Sequence, residues 1–337
     1  MISNGKFYES QFEEATIELL REAHWQYAFG DDIHRKYTDP LIEEDLRNFL
    51  AVQYKDKNLT TSEMDSIVAN LRNTGGQNDY YALRNTFLLY RDGYDFAYSD
   101  GRSNPFRLEY IDFEHPVHNI FRCVNQFVME QGRENRRPDI LLFINGIPVC
   151  IIELKNPTKQ NATIHDAHTQ ICTRYMRDIP ALLKYCALAV ISDGAKNALG
   201  ATYTPFEFFY ECKNIENEDK AGKRLDTLRT LIRGAISPER ILEILRDYVY
   251  FPDPTKEDDT TEIVCRYPQF FATRKLRDHI LNHLRSVGGD GKGGTYFGAT
   301  GCGKTYTMLF LARQLALRCR KQLGSPTILI LSLIHIS

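Results

Sequence analysis

The chain has 337 residues, 43% of them hydrophobic, and a formal net charge of −2 from 42 basic and 44 acidic side chains. These values are typical of a globular protein and argue against a mainly disordered chain. The near-zero net charge excludes a globally basic nucleic-acid coat protein, although it leaves room for a local basic patch. At roughly 150 residues per domain, the length predicts about two domains.

Cysteine usage and the N-terminus predict a cytoplasmic protein. The eight cysteines are scattered, with no CxxC pair, which excludes zinc-ribbon and thioredoxin-like readings and favours a reducing compartment. The first ten residues lack the apolar core of a signal peptide. No run approaches the roughly 20 apolar residues of a membrane span, so we expect no membrane partner.

Helical patterns dominate the first hundred residues. Apolar spacing predicts a helix over 11–28. An Asp-Pro pair at 39–40 predicts a second helix that reaches residue 54, with the acid near the N-cap and the proline near N1. Thr60 and Glu63 have the spacing of a capping box and predict the start of a third helix.

From residue 107 the pattern changes to short apolar runs separated by turns. These runs surround a predicted helix at about 163–178, and a further helix is expected from Ser237 to about Tyr250. The predicted strands are 119–129, 139–144, 147–154 and 185–191.

An acidic segment separates this region from the C-terminal part. Residues 253–262 contain five acids and one lysine, and we predict a linker over 251–265. It divides a domain at 1–250, helical over 1–106 and α/β over about 107–250, from a domain at 266–337. The elements expected in the second domain are helices at 269–287 and about 304–320 and strands at 295–297 and 327–333.

Three charged residues stand at the ends of two apolar runs. The runs flank an Asn-Gly pair, which predicts a hairpin. Asp139 opens the first run, and Glu153 and Lys155 close the second. Because both runs are apolar on both faces, they predict buried central strands, where charges need partners. Two neighbouring carboxylates repel each other, and a bound cation relieves that repulsion.

The register of this hairpin decides whether the two carboxylates meet. Glu153 and Lys155 share a face because side chains alternate along a strand. A two-residue loop would pair residue 139 with residue 152 and point Asp139 away from Glu153. An odd-length loop, or a bulge in one strand, would bring Asp139 to the same face. A shared site therefore requires one of these two irregularities.

Metal-assisted phosphodiester hydrolysis is the chemistry that needs this combination. Two acids and a backbone carbonyl, here that of Leu154, supply the oxygen ligands that Mg²⁺ prefers. The ion stabilises charge on the attacked phosphate and lowers the pKa of a bound water. The lysine would orient that water or neutralise the transition state. A surface hairpin with one salt bridge is the plain alternative for the same residues.

The surrounding sequence adds a family resemblance. Pro138-Asp139 and Glu153-Leu154-Lys155 match the PD-(D/E)xK nuclease pattern. The longer stretch 135–157, with Asn125-Gln126-Phe127 before it, resembles the restriction (R) subunit of type I restriction–modification enzymes. This resemblance implies a restriction-endonuclease-like α/β core and Mg²⁺-dependent cleavage of double-stranded DNA by a type I site-specific deoxyribonuclease. It also implies modification (M) and specificity (S) subunits as partners, with S-adenosylmethionine bound on those subunits.

The resemblance also implies a Gln-x-x-x-Tyr pattern on the helix after the lysine. Here Gln170 and Tyr175 are separated by four residues rather than three. Either the helix bulges, or only Gln170 keeps its role of bonding DNA or the active-site lysine. Arg174 and Arg177 flank the pair and are candidates for DNA phosphate contacts.

Two further sets of residues are weaker candidates. Glu13 or Glu14, on the first predicted helix, is a candidate for an additional active-site acid. Histidine pairs at 115/118, 165/168 and 279/283 have spacings that a metal could use. No cysteine or third ligand adjoins them in the sequence, so we interpret them as ordinary histidines.

A phosphate-binding loop is predicted near the C-terminus. Residues 298–305 fit G-x-x-x-x-G-K-[ST], and backbone N–H groups of such a loop cradle phosphates. Lys304 would reach the terminal phosphates of ATP and Thr305 would bind Mg²⁺. Gln269, by resemblance to superfamily 2 helicase motors, would contact adenine. The other predicted ATP-binding residues are Gly298, Thr300, Gly301, Cys302 and Gly303.

The chain ends before the second acidic motif and second lobe of such a motor. We therefore expect an N-terminal fragment with a truncated RecA-like domain that does not hydrolyse ATP alone, and SLIHIS at 332–337 departs from the family pattern. Two alternatives stay open: a helicase–nuclease fusion of another defence or repair system, and a DNA-binding or NTP-sensing module with an inactive nuclease.

Overall fold

The computed structural model describes residues 9–155, 163–213, 225–252 and 260–330. The chain divides into two compact units, Met1–Val264 and Cys265–Ser337. Among the described residues, no helix is both long enough and apolar enough to cross a membrane.

The first unit is a mixed α/β structure built on a six-stranded sheet. The described strands are β1 (Gln26–Phe29), β2 (Tyr94–Phe96), β3 (Phe106–Leu108), β4 (Phe121–Asn125), β5 (Met129–Gln131), β6 (Glu134–Arg136), β7 (Ile140–Ile144), β8 (Ile147–Leu154), β9 (Leu188–Ser192), β10 (Asn197–Gly200), β11 (Val249–Tyr250) and β12 (Ile263–Val264). The strand order of the six-stranded sheet is β1-β4-β7-β8-β9-β10, parallel at β1–β4 and β8–β9 and antiparallel elsewhere.

Helices cover the sheet and form most of the N-terminal region. Apolar side chains of the helix that follows β8, including Ile171 and Tyr175, pack on Leu141 and Ile151 in the core. The described α-helices of this unit are α1 (Glu9–Glu22), α2 (Glu43–Gln53), α3 (Thr61–Asn73), α4 (Asp79–Asp92), α5 (Ile164–Thr169), α6 (Met176–Asp178), α7 (Pro180–Leu183), α8 (Leu225–Leu231) and α9 (Pro238–Asp247).

Two predicted helix boundaries are wrong and one is confirmed. The first helix does not continue to residue 28, because His24 adopts a left-handed φ of 72° and the chain turns into β1. The second helix begins at Glu43 rather than at Pro40. Asp39 instead accepts the N–H of Leu41, so it stabilises a turn before the helix. The capping box of Thr60 and Glu63 is present as predicted.

The described end of the acidic segment belongs to the first unit. β12 pairs with β11, and Glu262 is fully buried beside Thr202 and Thr204. Residues 253–259, where most of the predicted linker charge lies, are outside the described residues.

The β7–β8 hairpin combines a two-residue turn with a bulge. Ile144 faces Ile147 across the turn, and the two turn residues both have positive φ, as a type I′ turn requires. The pairing then shifts by one residue, because Val149 is inserted between the partners of Phe143 and Leu142. Beyond the bulge the register runs toward residue 139 opposite residue 153. Of the two irregularities considered above, the bulge is the one observed.

Asn145 anchors this turn from inside the protein. Its side chain is fully buried and its φ is 50°. Its amide donates to the carbonyl of Tyr110 at 2.9 Å and to Oδ1 of Asn119 at 2.8 Å. Its Oδ1 accepts the N–H of Ile120 at 2.7 Å. The far end of the hairpin is therefore held in a network of satisfied buried polar groups.

The second unit contains helices α10 (Tyr267–Asn282), α11 (Lys304–Leu317) and α12 (Arg320–Leu323). The strands predicted at 295–297 and 327–333 are not observed in the part of it that the structure describes, and residues 331–333 lie outside that part. Phe297 is 91% exposed and Leu329 is 78% exposed. A strand needs a partner for its backbone hydrogen bonds, and the described residues 265–330 contain no sheet.

Replacing Asn145 with alanine should lower the free energy of unfolding by about 3 kcal/mol, because buried backbone and side-chain groups lose their partners. Asn58→Ala is a matched control, since Asn58 has the same φ of 50° but is exposed. It should cost about 1–2 kcal/mol, the cost of the left-handed conformation alone. Denaturant unfolding measures both, and equal losses would show that the buried hydrogen bonds of Asn145 contribute nothing beyond turn conformation.

Candidate active site

The bulged hairpin brings two carboxylates to one end of the sheet. Asp139 is half-buried immediately before β7, and its Oδ2 accepts the N–H of Leu154 at 2.7 Å. Glu153, near the end of β8, is only 1% exposed. The register of the hairpin sets residue 139 opposite residue 153, and the charge of Asp139 contributes to the raised pKa of the Glu153 carboxyl.

Four side chains form a closed hydrogen-bonded ring around the buried carboxylate. Lys155 Nζ donates to Glu153 Oε1 at 2.8 Å and to Gln170 Oε1 at 2.6 Å. Gln170 Nε2 donates to the Tyr175 hydroxyl at 2.7 Å, and that hydroxyl donates to Glu153 Oε2 at 3.2 Å. We call this set the Glu153 ring. It fixes the lysine beside the glutamate.

A π-helical turn makes the ring possible. Between α5 and α6, residues Gln170–Tyr175 form a π-helix, in which hydrogen bonds connect residues five apart. An extra residue in the turn therefore brings Gln170 and Tyr175 to the same face. Of the two alternatives drawn from the sequence, the bulged helix is the one observed. Tyr175 is 3% exposed, so its hydroxyl lies in the interior.

Burial and like charge shift the ionisation of this site. Burial of Glu153, and then the nearby charge of Asp139, raise the pKa of Glu153 from 4.5 to about 8. The hydrogen bonds from Lys155 and Tyr175 only partly oppose this rise. Burial and the neighbouring glutamate raise the pKa of Tyr175, which keeps its hydroxyl a donor. Both causes favour the neutral form of the Glu153 carboxyl when no cation is bound.

Glu13 lies at the same end of the sheet, on α1. Its Oε1 accepts from Asn125 Nδ2 at 2.7 Å and from Gln126 Nε2 at 3.1 Å. Asn125 pairs in register with Ile140, the residue after Asp139. Glu14 is exposed, so Glu13 is the acid that faces the strand ends.

The sequence pattern alone indicates no individual role for Asn125 or Gln126. The structure shows them as the two carboxamides that hold Glu13. Their position was the available signal: Asn125 ends a buried strand and Gln126 follows it directly, and polar groups in such a place need partners.

The two candidate DNA-contacting arginines are both exposed. The guanidinium of Arg177 donates to Asp178 at 2.6 Å, and Asp178 also accepts from Arg136. Arg177 thus forms an ion pair with a residue that is not part of the Glu153 ring. Arg174 lies on the exposed side of the π-helical turn.

The predicted phosphate loop lies in the second unit. Gly301 and Gly303 have left-handed φ values of 77° and 83°, and Gly303 is the N-cap of α11. Lys304 Nζ donates to the carbonyls of Gly298 and Ala299 at 2.8 and 2.9 Å. Gln269 Nε2 donates to the carbonyl of Gly303 at 3.2 Å. Thr300 and Thr305 are exposed, and Cys302 is half-buried.

Comparison with known proteins places the chain in a family of restriction proteins. The family described as type I restriction enzyme R protein N terminus matches residues 6–208, and the chain belongs to this family. It is similar to the type I restriction enzyme HindI endonuclease subunit of Haemophilus influenzae, with 29% identity over 96% of this chain and 31% of that protein.

A second relative comes from Methanocaldococcus jannaschii and is named provisionally as the type I restriction enzyme MjaIXP endonuclease subunit. It is 28% identical over 95% of this chain and 32% of its own length. The chain therefore spans about a third of the length of these two relatives.

The raised pKa of Glu153 predicts a pH-dependent effect on stability. In EDTA, Glu153→Gln should raise the melting temperature relative to the wild type. The folded wild type binds the Glu153 proton more tightly than the unfolded chain, so its stability falls as pH rises from about 5 to about 8. The advantage of the glutamine variant should widen across this window and then level off. Melting temperatures measured at several pH values test this.

Glu63→Gln is a control in which the pKa of the carboxyl is lowered rather than raised, so its effect on the melting temperature should have the opposite sign. Hydrogen bonds from Arg102 hold the pKa of Glu63 at about 2, so its charged form stabilises the fold above the unfolded pKa. This variant should be less stable than the wild type at pH 7. A melting difference for Glu153→Gln that does not change between pH 5 and 8 would show that Glu153 is ionised throughout.

Proposed function

We propose that the first unit is the nuclease of a type I restriction enzyme R subunit and cleaves double-stranded DNA with Mg²⁺. The observation that carries the proposal is the Glu153 ring, in which a buried glutamate that faces Asp139 is held against Lys155. Membership of the R protein family and the names of the relatives support it. The family match also favours this function over another helicase–nuclease fusion or an inactive module.

The site fits a hard divalent cation. The carboxylates of Asp139 and Glu153 and the carbonyl of Leu154 are oxygen donors of the kind Mg²⁺ prefers. The raised pKa of Glu153 marks a buried carboxylate whose ionisation lacks sufficient positive charge nearby. When bound, the ion stabilises charge on the scissile phosphate and lowers the pKa of a water.

The protein side chains supply the positioning. Lys155 is held by Gln170 beside Glu153, so its ammonium group lies where it can orient the attacking water or contact the phosphate. Tyr175, kept protonated, donates to the second oxygen of Glu153 and fixes the orientation of that carboxylate. Glu13, held by its two carboxamides, is the additional acid of the site.

The second unit is proposed as the first part of a RecA-like, ATP-driven DNA translocase. Its phosphate loop would hold ATP through the backbone around Gly303, with Lys304 on the terminal phosphates and Thr305 on Mg²⁺. Gln269, bonded to the loop carbonyl, would contact adenine. In the whole enzyme, M and S subunits would supply DNA recognition and bind S-adenosylmethionine.

Substitutions in the nuclease site should separate cleavage from ATP hydrolysis. In the full-length subunit assembled with its partners, Asp139→Asn, Glu153→Gln and Lys155→Ala should each lower the DNA cleavage rate at least about 100-fold, because each removes a metal ligand or the charge-stabilising group. ATP hydrolysis should stay at the wild-type rate, since it belongs to the other unit.

Glu130→Gln is the control for this series, because Glu130 is an exposed carboxylate on β5. The subunit with this substitution should cleave DNA at the wild-type rate. Wild-type cleavage by Glu153→Gln would contradict the proposed site. Loss of ATP hydrolysis together with cleavage would instead show a general folding defect.

Alkylation of Cys302 should block ATP hydrolysis by the full-length subunit, because a maleimide on the phosphate loop would obstruct the path of the phosphates. Six of the other cysteines are buried. Burial raises the pKa of the half-buried Cys172 to about 12, which leaves it an unreactive thiol. Bound ATP should protect the activity, and Cys302→Ser should be active and resistant.

Cys172→Ser serves as the matched control and should be as sensitive to maleimide as the wild type. If Cys302→Ser loses activity as fast as the wild type, the modified residue is another cysteine and the phosphate-loop assignment of this effect fails.

A further inference from the structure

A loop remote from the Glu153 ring carries a cluster of two histidines and an aspartate. Asp112 is 4% exposed, and its Oδ1 accepts the N–H groups of Glu114 and His115 at 3.0 and 2.9 Å. The backbone thus fixes this carboxylate before any ligand arrives. Its second oxygen, Oδ2, faces two imidazole rings.

The histidines converge on that one oxygen. His118 Nδ1 lies 2.8 Å and His115 Nδ1 lies 3.3 Å from Asp112 Oδ2. One donor atom from each of the three residues lies within 4.8 Å of the others. The sequence pattern favoured ordinary histidines because no third ligand adjoined them, and the structure places the Asp112 carboxylate beside both rings.

The three donor atoms are close enough together to share one metal ion. With metal–nitrogen and metal–oxygen bonds of about 2.0–2.2 Å, neighbouring tetrahedral ligands are about 3.3–3.5 Å apart. The His115–Asp112 spacing of 3.3 Å lies in this range, and the His118–Asp112 spacing of 2.8 Å is shorter, so a bound ion would move the His118 ring slightly outward. The histidine side chains are 66% and 49% exposed, so the remaining coordination positions open to water.

We infer that Asp112, His115 and His118 bind a divalent transition-metal ion, with Zn²⁺ as the ion that suits two imidazoles and one carboxylate. The imidazole donors distinguish this site from the nuclease site, whose oxygen donors suit Mg²⁺. In the absence of metal, the same contacts are ordinary hydrogen bonds from the ring Nδ1–H groups to the carboxylate.

The position of the cluster indicates a structural ion. Asn119 exchanges two hydrogen bonds with the Asp112 backbone and also accepts from Asn145 in the β7–β8 turn. That turn is at the end of β7 opposite Asp139, roughly 17 Å away at 3.4 Å per residue. Arg246 of α9 donates to the carbonyl of Phe113 in the same loop. The ion would therefore stabilise the conformation of the loop that precedes β4, and it would take no part in DNA cleavage.

The test uses the untagged chain and Zn²⁺ itself. Equilibrium dialysis followed by metal analysis should give one saturable Zn²⁺ per chain in excess Mg²⁺. His115→Ala and His118→Ala should each weaken binding at least about tenfold, since even second-shell changes cost 10–100-fold in metal affinity. The double variant should lose the site. Zn²⁺ should raise the melting temperature of the wild type but not that of the double variant.

Two controls identify the source of any binding. His165→Ala/His168→Ala removes a histidine pair of the same spacing and should bind Zn²⁺ normally. Asp139→Asn/Glu153→Gln removes the nuclease carboxylates and should also bind normally. Because His115 and His118 hydrogen-bond a buried carboxylate, each variant is compared by the rise in melting temperature that Zn²⁺ adds to its own metal-free value. Undiminished Zn²⁺ binding by the His115/His118 double variant, or loss of binding in either control, would overturn the inference.

Discussion

The structure around the proposed nuclease site depends on one buried carboxylate. Glu153 lies in a fully buried strand, within reach of the charge of Asp139, and its ionisation is disfavoured by both conditions. Lys155 and Tyr175 bond its two oxygens, but their effect is smaller than the effects of burial and like charge. A divalent cation would remove both penalties at once, because it supplies positive charge where the carboxylates converge. The same tension that destabilises the metal-free site is thus the basis of its proposed affinity for Mg²⁺.

Two single-residue insertions assemble the site around that carboxylate. The bulge at Val149 shifts the β7–β8 register so that Asp139 and Glu153 share a face. The π-helical turn rotates Tyr175 onto the face of Gln170 and closes the Glu153 ring. Regular elements would have separated both pairs. Irregularities of this kind are enriched at functional sites because they redirect side chains at a modest cost in hydrogen bonding.

Some of these elements could be predicted from the sequence and others could not, for physical reasons. Buried central strands such as β7 and β8 were clear because long apolar runs bounded by a turn allow few alternatives. The need for a bulge or an odd loop followed from alternation of side chains, but which one occurs depends on packing around Asn145 and Val149. The end of the first helix at His24 depends on one left-handed residue, which periodicity does not detect. The hydrogen bond between Glu13 and Asn125 depends on a tertiary contact, and those between Asp112 and its histidines depend on loop geometry. Neither is visible in a sequence pattern.

The most direct test of the account is anomalous diffraction from crystals of the chain soaked in Mn²⁺, which can substitute for Mg²⁺ at oxygen sites. The expected result is an anomalous peak bounded by the carboxylates of Asp139 and Glu153 and the carbonyl of Leu154, with Lys155 held beside it by Gln170. An intact Glu153 ring with no peak beside it at saturating Mn²⁺ would contradict the account.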